Sequence, residues 1–316
     1  MLTIKLDKEL TNEDADKFSG EWADDSMYDT LVEEDADVYK PNGEPLLIFR
    51  KNIIPIDICR QAWANIRDAS QMTNARGIAG GKLKESEMAK YHAIQTGDYT
   101  MQQVRARDGK LSNRTRANPV NSGVIGYMDK AGAFPYCRTT AYNLKNPEKF
   151  EQALPFIRKV NDLFAELHPE RYQKQHDMIK KTHPDFYIKD TAFTTVTVNR
   201  NFRTAIHKDV GDYEEGFGVM TAFTTNNFKG FNLVFPKYRV AVSMKTTDLA
   251  LCDVHEWHGN TAAYSMDTGH EKAQGTYERV SCVLYYRRNM AECGSMQEEL
   301  LKAQEREDEK LKELNG

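Results

Sequence analysis

Long apolar runs are missing from this sequence: no stretch approaches the roughly 20 residues that a bilayer-spanning helix needs. The N-terminus, MLTIKLDKELTNEDAD, lacks the basic-then-apolar pattern of a secretory leader. The expectation is an intracellular chain, not secreted, with no membrane partner. Cysteine is scarce. Cys59, Cys137, Cys252, Cys282 and Cys293 are odd in number and form no CxxC pair. That argues against a disulfide scaffold or a thiolate zinc site and for a reducing setting. No internal repeat and no low-complexity linker interrupts the chain. What is there is ordinary for a globular protein: 316 residues, 40% hydrophobic and 28% charged. This length does not require a second domain and is enough to bury a sizeable core.

The net charge of −4 hides an asymmetry. Residues 1–40 hold 13 acids and 4 bases, or −9, which leaves +5 for the rest. We read 1–40 as an acidic, weakly ordered arm with a short helix near Asn12–Phe18. Residues 41–294 read as a single domain and 295–316 as a charged helix docked by Met296, Leu300, Leu311 and Leu314. PLLIFRKNIIPI (45–56) is strand-like, and helices are expected over 57–70, 83–95 and 148–180, the last broken at Pro169. Phe150, Leu154, Ile157, Val160, Phe164 and Leu167 recur at three- and four-residue steps, a core-facing stripe. From about 191 the texture becomes β-branched and alternating, with Gly, Asn and Asp turns, which suggests an antiparallel sandwich or barrel. Residues 74–116 carry nine Lys/Arg against four acids, the best local source of phosphate contacts; Arg200, Arg203 and Lys208 are further ones.

Eight histidines make placement informative. His207-Lys208-Asp209 ends a strand-like run, and in an extended chain residues i and i+2 project to one face. His255 and His258 follow about fifty residues later. Two histidines and one carboxylate on one face of a metal leave three positions open, the facial triad of non-haem Fe(II) oxygenases. His255-Glu256-Trp257-His258 is not the zincin HExxH, because its histidines are three apart and follow a β-like run. We favour His258 as the third ligand, since Gly259 and Asn260 would make a turn that aims it inward; His255 is the alternative. Arg279 opens RVSCVLYYRR, and its planar fork suits a carboxylate. Ser281 lies on the same face.

NSGVIGYMD (121–129), CRTTAYN (137–143), LPFIRKVNDLF (154–164), PERYQKQ (169–175), TAFTTVTVNRNFRTAIHKDVGDYEEGFG (191–218), LVFPKYRVAV (233–242), DVHEWHGN (253–260) and ERVSCVLYYR (278–287) occur in one order. The series resembles the dioxygenase domain of the TET/JBP family over 120–290. Those Fe(II)- and 2-oxoglutarate-dependent enzymes oxidise the 5-methyl group of pyrimidines in nucleic acid. The resemblance implies an α+β fold, a double-stranded β-helix barrel of the jelly-roll or cupin kind flanked by helices. It implies His207, Asp209 and His258 as iron ligands, Arg279 as the 2-oxoglutarate anchor, and Ser281 and Arg138 as further co-substrate contacts. O₂ is the third requirement. Asp212 falls where the family places a polar residue near the target base. DNA with a flipped-out base is the implied substrate, and no protein partner is evident. The chain lacks the cysteine-rich region of animal TET proteins and the extra modules of some JBP proteins, and so looks like a stand-alone viral or microbial version. On the missing thymine module, 5-methylcytosine is favoured, with thymine to 5-hydroxymethyluracil as the alternative. Rival readings are the same fold acting on a free nucleoside or a protein side chain, and a barrel that binds DNA without catalysis.

Overall fold

The computed structural model describes residues 1–82, 118–131, 134–225, 227–271 and 276–315, with side chains to Lys312, and the backbone of three short strands within 94–115. The chain opens with β1 (Leu2–Lys5), α1 (Asn12–Asp16), β2 (Thr30–Val32), β3 (Ala36–Tyr39) and β4 (Pro45–Arg50). Next come α2 (Ile56–Ile66), β5 (Gln71–Thr73), and the short strands β6 (Ile94–Gln95), β7 (Gln102–Arg105) and β8 (Leu111–Thr115). β9 (Val120–Met128) and β10 (Arg138–Thr139) lead to α3 (Ala141–Lys145), α4 (Pro147–Leu167) and α5 (Pro169–Ile179). The β-rich half runs β11 (Thr195–Arg200), β12 (Gly218–Thr224), β13 (Phe228–Gly230), β14 (Leu233–Phe235) and β15 (Val240–Val242). It continues with β16 (Leu249–Cys252), β17 (Gly259–Asn260), β18 (Ala263–Ser265) and β19 (Arg279–Tyr285), and α6 (Met296–Asn315) closes the chain.

The major sheet has the order β1-β3-β4-β16-β12-β19-β11-β9-β10, with β5 also on β9; the minor sheet is β17-β14-β15-β2. Period-two alternation assigns each face. Val196, Val198, Val219, Leu251, Val280 and Leu284 point outward under α2 and α4, where Ile66, Phe156, Ile157 and Phe164 cover them. Met220, Ala222 and Cys252 point inward against Leu233, Phe235 and Val240 of the minor sheet. Two sheets facing across a core with helices over one back give the expected α+β barrel. The helical stripe also falls as expected: Phe150, Leu154, Ile157, Val160 and Phe164 are buried, and α4 ends two residues before Pro169. The helix expected at 83–95 and most of the basic 74–116 stretch lie outside the described residues.

The first forty residues correct the expectation of a loose arm. β1 pairs in parallel with β3, and β2 pairs in parallel with β15. Val32, Ala36 and Val38 are buried in the inter-sheet core, while Asp35 and Asp37 alternate outward; the acid count masked that pattern. A boundary at 40 would cut the β3–β4 hairpin, whose turn is closed by Lys40 N–H donating to Glu44 O at 2.8 Å. At the other end Met296 packs inward, but Leu300 and Leu311 are exposed, and the Leu314 side chain lies outside the described ones. α6 docks instead through buried Glu299, which accepts from the backbone N–H of Cys137 at 2.6 Å and of Gly294 at 2.9 Å. Next to that contact, Cys137 and Cys293 form a disulfide with a Cα–Cα distance of 5.8 Å. This departs from the expectation of reduced cysteines. The pair is 156 residues apart and is brought together by the docking of α6 against β10. Cys59, Cys252 and Cys282 are free and buried. No helix among the described residues is long and apolar enough to cross a membrane.

Candidate metal centre and active site

β19 aims the site. Arg279, Ser281, Val283, Tyr285 and, just past its end, Arg287 sit at every second position, and all line one cavity of about 360 Å³. From neighbouring β11, Thr197 and Asn199 face the same space. Opposite lie His207, Asp209, Asp212 and His258, with Met220, Leu233 and Met244 as apolar wall.

His207 and His258 are cross-strand neighbours in an isolated antiparallel bridge, with ring centroids 4.4 Å apart. Asp209 completes the group: His207 Nε2 is 3.6 Å and His258 Nε2 is 3.7 Å from its carboxylate oxygens. The three ligand atoms lie within 4.8 Å of one another. Backbone carbonyls orient both rings. Nδ1–H of His207 donates to Ala205 O at 2.8 Å, and Nδ1–H of His258 donates to Glu256 O at 2.9 Å. Each Nε2 lone pair is thereby left facing the centre. Burial, with His207 beside it, pushes the His258 imidazole down to about 4, so it is a neutral donor at physiological pH. Two imidazoles and one carboxylate on one face fit a divalent Fe(II) with open positions.

His255 is not part of this group; its Nε2 lies 3.4 Å from Tyr213 O. Gly259 and Asn260 form a strand edge on β14, not a turn. The glycine serves a different need: a Cβ at Gly259 would lie 2.9 Å from backbone atoms of Ala205 and Ile206, so only glycine permits the close approach of the two histidine-bearing segments.

Arg279 is 5% exposed, and its Nε has no hydrogen-bond partner among the described residues. Burial pushes its guanidinium down to about 10. A buried cationic fork with an open donor facing a cavity fits a carboxylate ligand. Ser281 is beside it. Arg138 is not: it reaches back to Asp129 O at 3.2 Å and stacks over Phe134 at 4.3 Å, because β10 pairs with the far edge of β9. It is not among the residues that line the cavity with Arg279 and Ser281.

Asp212 is buried and lines the same cavity, and its Oδ2 lacks a hydrogen-bond partner among the described residues. Burial and then the Asp209 charge push its carboxyl well above the usual range, against the opposing pull of Arg287. Arg287 pairs with Asp212 across an antiparallel bridge and is held from behind by buried Asp129 at 2.6 Å. Arg76, which donates to Gly123 O at 2.9 Å, enters the cavity from the loop before the Gly77–Gly80 turn. Arg287 and Tyr285 were missed in the sequence, though the alternation that linked Ser281 to Arg279 reaches both. Arg76 was counted in the sequence only among the basic residues of 74–116, as a source of phosphate contacts. Among the expected phosphate contacts, Arg200 pairs with Glu278 at 2.7 Å and Arg203 with Glu271 at 2.9 Å. Lys208 lies over Trp257 at the cavity mouth, 4.9 Å from the ring centre.

Known proteins agree with this geometry. The family model described as the oxygenase domain of the 2OGFeDO superfamily, Tet_JBP, matches residues 123–288. The chain is 30% identical over 232 residues to thymine dioxygenase JBP1-B of Trypanosoma cruzi, covering 72% of this chain and 26% of that protein. It is 33% identical over 235 residues to thymine dioxygenase JBP1 of Leishmania braziliensis, covering 73% and 27%. The chain thus spans about a quarter of the length of these curated relatives. A solved structure of NgTET1 in complex with 5mC DNA superposes with a TM-score of 0.50 at 12% identity, covering 87% of this chain and 90% of that one, a likeness of fold. A match across half the chain, over β9 to β19 and the whole His-Asp-His group, places this protein in the Tet_JBP family as a dioxygenase that uses Fe(II), 2-oxoglutarate and O₂.

Proposed function

We propose that this enzyme hydroxylates the 5-methyl group of thymine in DNA, giving 5-hydroxymethyluracil. The observation that carries the base is the likeness to proteins named thymine dioxygenases, which extends over about 72% of the chain. The lean of the sequence towards 5-methylcytosine rested on a missing module, and an absence selects no base.

In this reading His207, Asp209 and His258 hold Fe(II) on one face. Arg279 pairs with the distal carboxylate of 2-oxoglutarate, and Ser281 adds a hydroxyl. When bound, Fe(II) with 2-oxoglutarate and O₂ supplies the oxidation of the methyl C–H bond. The protein's part is positioning and exclusion of water: Met220, Leu233, Met244 and Val283 give that space apolar walls. A methyl group stacked in a duplex does not reach the cavity, so the base is flipped out. Asp212 Oδ2 accepts from thymine N3–H, and Arg287, held rigid by Asp129, donates to a flanking carbonyl. Lys208 at the mouth meets the backbone phosphates. The test is succinate release in the presence of thymine DNA, of the same DNA with uracil in place of thymine, and of free thymidine. Release stimulated by the first alone supports the proposal; equal release with uracil DNA or with thymidine overturns it.

A further inference from the structure

The His258 loop is held by a buried cation from the far N-terminal part of the chain. Lys40 is 7% exposed and lies at the β3–β4 turn. Its Nζ is 2.6 Å from Asp253 Oδ2 and 3.1 Å from Glu256 Oε1, with Glu44 3.6 Å away. Burial disfavours the ammonium, but the Asp253 and Glu256 carboxylates outweigh it and raise its affinity for the proton. Glu256 is gripped from a second side by Tyr238, whose hydroxyl donates to Oε1 at 2.7 Å, and Lys237 stands 4.0 Å from Oε2. The clamped loop touches two members of the metal group through its backbone. Glu256 O takes the Nδ1–H of His258, and Val254 O takes the N–H of Asp209 at 3.0 Å. Asp253 also caps the loop internally, its Oδ1 accepting from His255 N–H at 3.2 Å.

We propose that Lys40 is a positioning residue for the metal centre: by clamping Asp253 and Glu256 it fixes the two loop carbonyls that aim His258 and seat Asp209. It touches neither metal nor substrate. A loop held only by its ends would let the Glu256 carbonyl swing, and the ring of His258 would lose its fixed direction. Loss of such outer partners typically weakens metal binding about 10–100-fold.

The experiment titrates metal-free protein with Co(II), following both the affinity and the visible spectrum of the bound ion. Lys40→Met is expected to bind about 10–100-fold more weakly with an altered spectrum, and Lys40→Arg to recover most of the affinity. Arg50→Met is the control. It breaks a comparably buried pair, Arg50–Asp37 at 2.8 Å in the same sheet, and is expected to lower the melting temperature with affinity and spectrum intact. Should Lys40→Met not fold, Glu256→Gln carries the same expectation, because it removes the charge yet keeps an acceptor for Tyr238. Wild-type affinity and spectrum in the folded Lys40→Met or Glu256→Gln protein would overturn the proposal, as would an equal loss of affinity in Arg50→Met. No DNA is involved, so the outcome is independent of which base is oxidised.

Discussion

His207 and His258 hold each other in register: the backbone N–H of each donates to the carbonyl of the other, at 2.9 and 3.0 Å. The two imidazoles are therefore placed by main-chain geometry, and Asp209 is added two residues along the first segment. Removing one ligand side chain should leave that frame standing. Asp209→Ala is expected to abolish succinate production while the melting temperature moves by no more than a few degrees, because the Asp209 side chain is only partly buried. Retained turnover would remove the metal assignment.

Arg279 offers a planar fork to a carboxylate, and lysine offers only a point charge. Arg279→Lys should weaken 2-oxoglutarate binding by about 10–100-fold, the loss of roughly 1.5–3 kcal/mol for charge-assisted hydrogen bonds. Co(II) affinity in the absence of 2-oxoglutarate should not change. Isothermal titration with each ligand in turn separates the two.

In the Asp129–Arg287 pair the carboxylate is buried and the guanidinium, partly buried, lines the cavity. Asp129→Asn leaves the guanidinium without its counter-charge, at a cost of about 3 kcal/mol. Stability should fall and KM for DNA should rise, while KM for 2-oxoglutarate holds. Parallel changes in both KM values would show that the residue shapes the whole cavity and not the base side.

His168 gives an acid-sensitive term remote from the metal. Its Nδ1 accepts from Arg171 N–H at 3.3 Å and so caps α5, and burial lowers its affinity for the proton. The folded value lies below the unfolded value of about 6.5. The unfolded chain thus binds more protons just below that pH, and stability is lost as pH falls from about 6.5 through the lowered folded value. His168→Asn keeps a cap and should flatten that limb in urea melts; an unchanged limb would assign the acid loss elsewhere.

The barrel half was legible because alternation of β-branched residues reports a sheet face directly, and the α4 stripe was legible for the corresponding helical reason. The metal group was legible because i and i+2 in an extended chain share a face, which links His207 to Asp209 without knowledge of the fold, although His207 makes only an isolated bridge and not a strand. The same rule carried along β19 reaches Tyr285 and Arg287. The place of Arg76 in the cavity was not legible from its basic stretch, because it depends on a contact with Gly123, 47 residues away. Lys40 was hidden because its partners are more than 200 residues distant. Residues 1–40 were misjudged because net charge was weighed before the pattern Val32, Ala36, Val38. The Cys137–Cys293 bond follows from tertiary docking, which cysteine spacing does not encode.

The most direct test of the account is nucleoside mass spectrometry after incubation with Fe(II), 2-oxoglutarate and two DNAs, one of ordinary bases and one also carrying 5-methylcytosine. New 5-hydroxymethyluracil is expected from both. New 5-hydroxymethylcytosine from the second with no 5-hydroxymethyluracil from either would contradict it.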